Sequence, residues 1–233
     1  MVDLLDPSGI ITRMFETNKF EEVVSYCNKL LQSEPNSLLA LQNIAVANLH
    51  LKNFEETIKF CDKILDIDKK NAYAITNKIL ALENLKNYEE VINCCKIYLE
   101  NNPNDLWVIN AKGIALLNSG NYLEAIDTFE KVLEIEHKNL TALMNKAIAH
   151  LRLKDFENAI LFFDRVQEIN SSYKEAAISK SFAFQQLGKE DEAFLAAQGI
   201  LVKNMDWYKN EARKNNYSVF HQFCETEFKE IKT

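Results

Sequence analysis

Apolar residues recur at helical spacing through most of this chain. In "FEETIKFCDKILDI", residues 54–67, Phe54, Ile58, Cys61, Ile64 and Leu65 follow one another at steps of 4, 3, 3 and 1. That spacing gathers side chains on one face of an α-helix. The segment before it, "LLALQNIAVANLHL", residues 38–51, predicts a helix of its own. A turn of about 2–4 residues commonly links helices that lie antiparallel, so the pair predicts a helical hairpin.

The hairpin repeats. A step of 34 residues leads from Phe20 to Phe54, Tyr88, Tyr122 and Phe156, and the next step reaches Glu190. Three positions after these lie Val23, Thr57, Val91, Ala125, Ala159 and Ala193. Seven positions after lie Cys27, Cys61, Cys95, Phe129, Phe163 and Ala197; ten after lie Leu30, Ile64, Tyr98, Val132, Val166 and Ile200. One hairpin leaves its apolar face in water, whereas stacked hairpins bury it against one another. The pattern therefore predicts an all-α solenoid.

The joint inside each hairpin recurs as "LKNFEE" (residues 51–56) and "LKNYEE" (residues 85–90). Asn53 and Asn87 stand where the second helix begins, and their side-chain oxygens are expected to accept from its free N–H groups. Glu56 and Glu90, three residues on, are expected to bond back to the cap residue's N–H, completing a capping box. Asn121 with Glu124 repeats the pair, and Asp155 with Asn158 varies it. Lys52 and Lys86 sit at the negative end of the preceding helix, and the glutamates at the positive end of the next. Adjacent carboxylates on a helix point about 100° apart, so paired acid–base catalysis is not expected here.

The 34-residue unit, clearest in "NYLEAIDTFEKVLEIEHKN" from Asn121 to Asn139, resembles the tetratricopeptide repeat. Ala45, Gly113 and Ala147 match the family's small position in the first helix, Ala125, Ala159 and Ala193 that in the second, and Pro35 and Pro103 its closing proline. Leu41, Ile75, Ile109 and Leu143 replace the large first-helix aromatic, Ile11 and Ile79 fill the small position, and four units lack the proline. The resemblance covers residues 4–207 as six units, about 4–37, 38–71, 72–105, 106–139, 140–173 and 174–207. It implies a right-handed superhelical solenoid. After it, residues 208–230 are expected to form a capping helix, with Tyr217, Phe220, Cys224, Phe228 and Ile231 near one face; an aromatic docking helix for another chain is the lesser reading.

In that family the first helix of each unit lines a concave surface. The resemblance places candidate partner-binding residues at Gln42, Val46, Leu49 and His50; at Tyr73, Thr76, Leu80 and Asn84; at Trp107, Asn110, Ile114 and Asn118; and at Met144, Ile148 and Arg152. One column there, Val46, Leu80, Ile114, Ile148 and Phe182, is apolar where the family commonly carries polar residues; Thr12 is its exception. Helices apolar on two sides tend to bury both. Either a partner's helix or peptide covers this face, or neighbouring first helices pack more tightly and need no ligand; both readings stand at this point. Asn84, Asn110 and Asn118 offer donors and acceptors beside the row. The family's basic clamp for chaperone tails is not expected, because Ser8 with Thr12, or Gln42 with Val46, stands at its Lys–Asn pair.

Composition narrows the rest. The 233 residues hold five Gly and three Pro, few breakers for so long a chain, and 26% charged residues with a net charge of −7. An acidic chain repels a phosphate backbone, which counts against nucleic acid as partner. Lys78, Lys112, Lys146 and Lys180 form a 34-residue column, either a basic stripe or stems that pack while their amines reach water. No apolar run approaches the ~18 residues of a membrane span. The opening "MVDLLDPSGI" lacks a basic and apolar leader, so a cytoplasmic protein with reduced cysteines is expected. Cys27, Cys61 and Cys95 belong to stacked helices roughly 8–10 Å apart. That is too far for a disulfide, whose Cα atoms lie within about 7 Å, or for a shared metal, so they are expected in the core. The neighbours Cys94 and Cys95 leave a redox pair as the lesser reading.

His50, His137, His150 and His221 share no ligand spacing, and no phosphate loop or nucleophile elbow occurs. No cofactor, metal or catalytic residue is therefore expected. The expected function is a non-catalytic scaffold for a protein or peptide partner. A structural module that pairs with another copy of itself is the first alternative, and an RNA-binding repeat the second.

Overall fold

The computed structural model describes residues 6–214. They form thirteen α-helices, and no strand occurs among the described residues. The chain divides into two compact units between Ser119 and Gly120. The first holds α1 (Pro7–Glu16), α2 (Phe20–Ser33), α3 (Leu38–His50), α4 (Phe54–Ile67), α5 (Ala72–Asn84), α6 (Tyr88–Leu99) and α7 (Leu106–Asn118). The second holds α8 (Tyr122–Ile135), α9 (Leu140–Arg152), α10 (Phe156–Ile169), α11 (Lys174–Gln186), α12 (Glu190–Ala197) and α13 (Val202–Lys214).

The repeat governs where helices start. α2, α4, α6, α8 and α10 begin at the five aromatics of the column, and α12 begins at Glu190. Within the first unit each helix packs on the next in sequence, and α3 also meets α5, which meets α7. The second unit follows the same order from α8 to α13. This is the all-α arrangement of stacked hairpins that the period predicts. The core runs between layers: Val23, Thr57, Val91, Ala125, Ala159 and Ala193 are all buried, as are Leu41, Ile75, Ile109 and Leu143. Medium-sized aliphatics thus fill the place where the repeat that this unit resembles carries an aromatic. Each buried Leu or Ile contributes about 1.5–3 kcal/mol.

The joints differ from expectation in an instructive way. Asn18, Lys52, Lys86, Gly120, Lys154 and Gly188 stand 34 residues apart, and all have positive φ, between 55° and 86°. Each first helix ends in a left-handed residue that reverses the chain. The following residue's N–H then bonds back to the helix: Asn53 to the Asn48 carbonyl at 2.8 Å, Asn87 to Leu82 at 3.0 Å and Asp155 to His150 at 2.9 Å. That N–H is the one a capping box needs, so the box cannot close. Glu56 pairs with Lys59 instead. Half of the expected cap survives at Asn87, whose Oδ1 accepts from the Glu90 N–H at 3.4 Å, and at Asp155, which accepts from Asn158 at 3.3 Å. Asn53 and Asn121 give no cap bond; Asn53 donates to the Asn48 side chain across the joint.

Cys27, Cys61, Cys94 and Cys95 are buried free thiols. Burial alone pushes Cys27 up to about 11; burial first, then neighbouring charges, pushes Cys94 to about 11 and Cys61 and Cys95 to about 12. A thiol held protonated is a poor nucleophile and ligand, which counts against the redox-pair reading of Cys94 and Cys95.

The lysine column is neither a free stripe nor a set of solvated amines. Lys78 Nζ lies 2.8 Å from Asp62 on α4 and 3.5 Å from Glu90 on α6. Lys146 pairs with Glu130 on α8 and lies over the Phe162 ring. Lys180 is fully buried, 2.7 Å from Asp164 on α10. These amines stitch a first helix to the second helix of the hairpin before it.

The sixth hairpin departs from the period. α12 stops at Ala197, Gly199 takes φ +83°, and Ile200 leaves the helical column expected for it. Lys180 donates to the Ile200 carbonyl at 2.9 Å, and Asp164 accepts from the Val202 N–H at 3.1 Å, which anchors the start of α13. Met205 and Ala212 of α13 then cover Ala193, Leu195 and Ala196. The expected aromatic face at Tyr217, Phe220, Cys224 and Phe228 lies outside the described residues.

Candidate partner-binding face

In the first unit the face is built by α3, α5 and α7. The starts of α5 and α7 are capped, whereas Ser37 gives α3 no side-chain cap bond. Asn71 accepts from the Ala74 N–H at 3.0 Å, and Asp105 accepts from Trp107 and Val108 at 3.0 and 3.1 Å. Tyr98 on α6 donates its hydroxyl to Asp105 at 2.9 Å, tying that cap to the neighbouring helix. Tyr73 and Trp107 therefore project from the first turn of two capped helices. Both are 45% exposed.

None of the fifteen expected site residues is fully buried. Gln42, Val46, Leu49, Thr76, Leu80, Asn110 and Ile114 are half-buried, and Asn84 and Asn118 are exposed. His50 does not stand free: its ring stacks on Phe20 at 4.6 Å and leans on Phe15. In the second unit Met144 and Ile148 are half-buried and Arg152 is exposed on α9. The apolar column is thus partly shielded by its neighbours and partly open.

Three residues of the face escaped the sequence reading. Leu39 is exposed one step of 34 before Tyr73, and Ile178 is exposed one step after Met144. The period alone would have placed both. Glu83 on α5 occupies the column of Leu49, Leu117 and Leu151, a carboxylate among leucines. Burial raises its pKa above the ordinary value.

The amides orient in one sense. Asn43 donates its Nδ2 to the Leu39 carbonyl at 2.7 Å, Asn77 to Tyr73 at 2.8 Å and Asn84 to Leu80 at 2.8 Å. Thr76 donates its hydroxyl to the Tyr73 carbonyl at 3.1 Å. Their oxygens are left as acceptors, and the buried Oδ1 of Asn110 has no hydrogen-bond partner.

No cluster of His, Cys, Asp or Glu among the described residues could hold a metal ion. Two open clefts of about 450 and 490 Å³ flank α11 and α12, each lined by a single charged residue, Glu190 in one and Lys174 in the other. No described helix is long and apolar enough to cross a membrane.

The family model of the tetratricopeptide repeat matches residues 110–174. Among solved structures, a tetratricopeptide repeat protein from Parabacteroides merdae is similar at 17% identity and a TM-score of 0.71, over 80% of this chain and 74% of that one. MamA from Desulfovibrio magneticus RS-1 is similar at 18% identity and a TM-score of 0.67, over 72% of this chain and 94% of that one. These likenesses carry the fold. No curated protein matches the chain in sequence.

Proposed function

We propose that this chain, a tetratricopeptide-repeat protein, is a non-catalytic scaffold that binds a helix or peptide of a partner protein along the concave face formed by its first helices. The observation that carries this reading is the pair Tyr73 and Trp107. Large aromatic rings left 45% exposed on rigid, capped helices are what a docking surface needs. The half-open row Val46, Leu80 and Ile114 beside them supplies apolar contact area, and the amide oxygens supply polar register. The setting is the cytoplasm, and the net charge of −7 disfavours nucleic acid as the ligand.

The test is capture of partners by the intact chain and by a Trp107→Ala, Ile114→Asp variant. Captured partners are expected to be lost from the variant while its thermal melting is retained. A variant that unfolds would show instead that this face is core, and a variant that captures everything the parent captures would refute the site. A second copy of the chain is the competing occupant, favoured by Ile178 and Phe182, which are 66% and 45% exposed on α11. Mass that rises with concentration in light scattering would select it.

A further inference from the structure

The chemistry of the partner can be read from what the first-unit face lacks. α3, α5 and α7 carry only three formally charged residues, Lys78, Glu83 and Lys112. Lys78 is engaged by Asp62 and Glu90 behind the face, and Lys112 is likewise engaged. Glu83 forms no ion pair among the described residues, and burial raises its pKa. It also sits in the last turn of α5, next to the negative end of that helix's dipole, where a carboxylate is disfavoured. Glu83 is thus poorly placed three times over: half-buried, unpaired and at the wrong end of its helix.

The polar groups around it point the same way. Thr76, Asn77 and Asn84 direct their donors to carbonyls of their own helix, so their oxygens remain as acceptors, that of Asn77 on a buried side chain. On α7, which packs against α5, the Asn110 Oδ1 is a buried acceptor with nothing to accept. Asn110 is level with Thr76 in the repeat, so it lies about 10 Å before Glu83 along the helix axis. An extended chain covers that in about three residues. The face therefore asks for hydrogen-bond donors and one positive charge, set among apolar contacts.

Resting on the docking face proposed above, we propose that it takes an otherwise uncharged, apolar segment of a partner protein through one arginine, whose guanidinium pairs with Glu83 beside Leu80 and Ile114. Arginine suits the position because its planar group carries five donors and no acceptor and is more weakly hydrated than an ammonium. An acidic tail, by contrast, would meet Glu83 and a row of oxygens.

The experiment is fluorescence anisotropy of the full chain against capped twelve-residue peptides of Ala, Leu, Ser and Thr, with a single Arg placed at each position in turn. Each has a twin with citrulline, which keeps the shape and removes the charge. Arg peptides are expected to bind about tenfold more tightly than their twins, the usual worth of a charge-assisted bond in a sheltered site. Glu83→Gln is expected to erase that difference while melting at or above the parent temperature, and Glu83→Lys to turn the preference toward peptides carrying Glu. Equal binding of Arg and citrulline peptides, or an Arg preference that survives Glu83→Gln, would overturn the assignment and leave the docking face itself standing. Failure of every peptide to bind would also overturn it, with the capture experiment deciding the docking reading separately.

Discussion

Lys86 shows how one residue type can be kept at a cost to the local backbone. Its φ of 58° belongs to the left-handed region, where a Cβ crowds the following carbonyl. Gly120 and Gly188 occupy the same column without that strain. Lys86→Gly is expected to stabilise the chain by up to ~1 kcal/mol, the relief being partly offset by the freer unfolded chain. Gly120→Ala should cost about 1 kcal/mol although nothing stands within 4 Å of its added Cβ. Urea denaturation of both variants measures the pair; opposite signs are required. Glu83 makes a second residue-scale prediction. Its folded pKa is raised, so the folded state holds that proton more tightly than the unfolded chain, whose Glu titrates near ~4.3. Stability from this group therefore falls as pH rises through the two values. Glu83→Gln should gain on the parent as pH rises above about 4.3, and a gap independent of pH would contradict the account. That carboxylate was visible in the sequence as a break in a leucine column, yet its lack of a partner was not. Partnerlessness depends on which neighbours the fold brings near, and no spacing rule carries that.

At the scale of the helix, the caps are graded by how the chain enters. Second helices follow a tight left-handed reversal that consumes the cap residue's N–H and crowds its side chain, so Asn53 and Asn87 cap weakly or not at all. First helices follow a longer turn, and there Asn71, Asp105 and Asn139 accept at 2.9–3.1 Å, whereas Ser37 before α3 and Tyr173 before α11 make no cap bond. Asp105→Ala should cost about 1–2 kcal/mol, and Asn53→Ala well under ~1 kcal/mol. Thermal melting of the two variants checks the order, and equal losses would show that the caps are not graded. Because Asp105 also fixes the first turn of α7, its loss is expected to weaken partner binding with Trp107 intact. The capping box was the natural reading of "NFEE" and "NYEE", since the residue types are right. It fails because a backbone group can be used only once, and the helix before had already used it. The starts of the second helices, in contrast, were legible to the residue. The aromatic column marks where each second helix begins packing, and a 34-residue register has no room to slip.

For the molecule as a whole, two units of stacked hairpins follow from a simple constraint: each hairpin has an apolar side that only another hairpin can cover. That constraint writes itself into the sequence as a period, which is why the fold class was readable and why the break after Ala197 was not. Ile200 and Leu201 keep the apolar pattern while Gly199 and the Lys180–Asp164 pair redirect the chain, and those two long-range bonds leave no periodic trace. The candidate face was readable in the sequence only as a set of positions. The period gave its positions, but whether Tyr73 and Trp107 were open or packed away depended on how closely α3, α5 and α7 approach. The most direct measurement of the proposed role places the photocrosslinker benzoyl-phenylalanine at Tyr73 and Trp107 on the first helices, and at Ile67 and Ile97 on second helices, where exposure is a similar 44% and 49%. The account predicts adducts with a partner protein from Tyr73 and Trp107 and none from Ile67 or Ile97. Adducts from Ile67 and Ile97 with none from the two aromatic positions would contradict it.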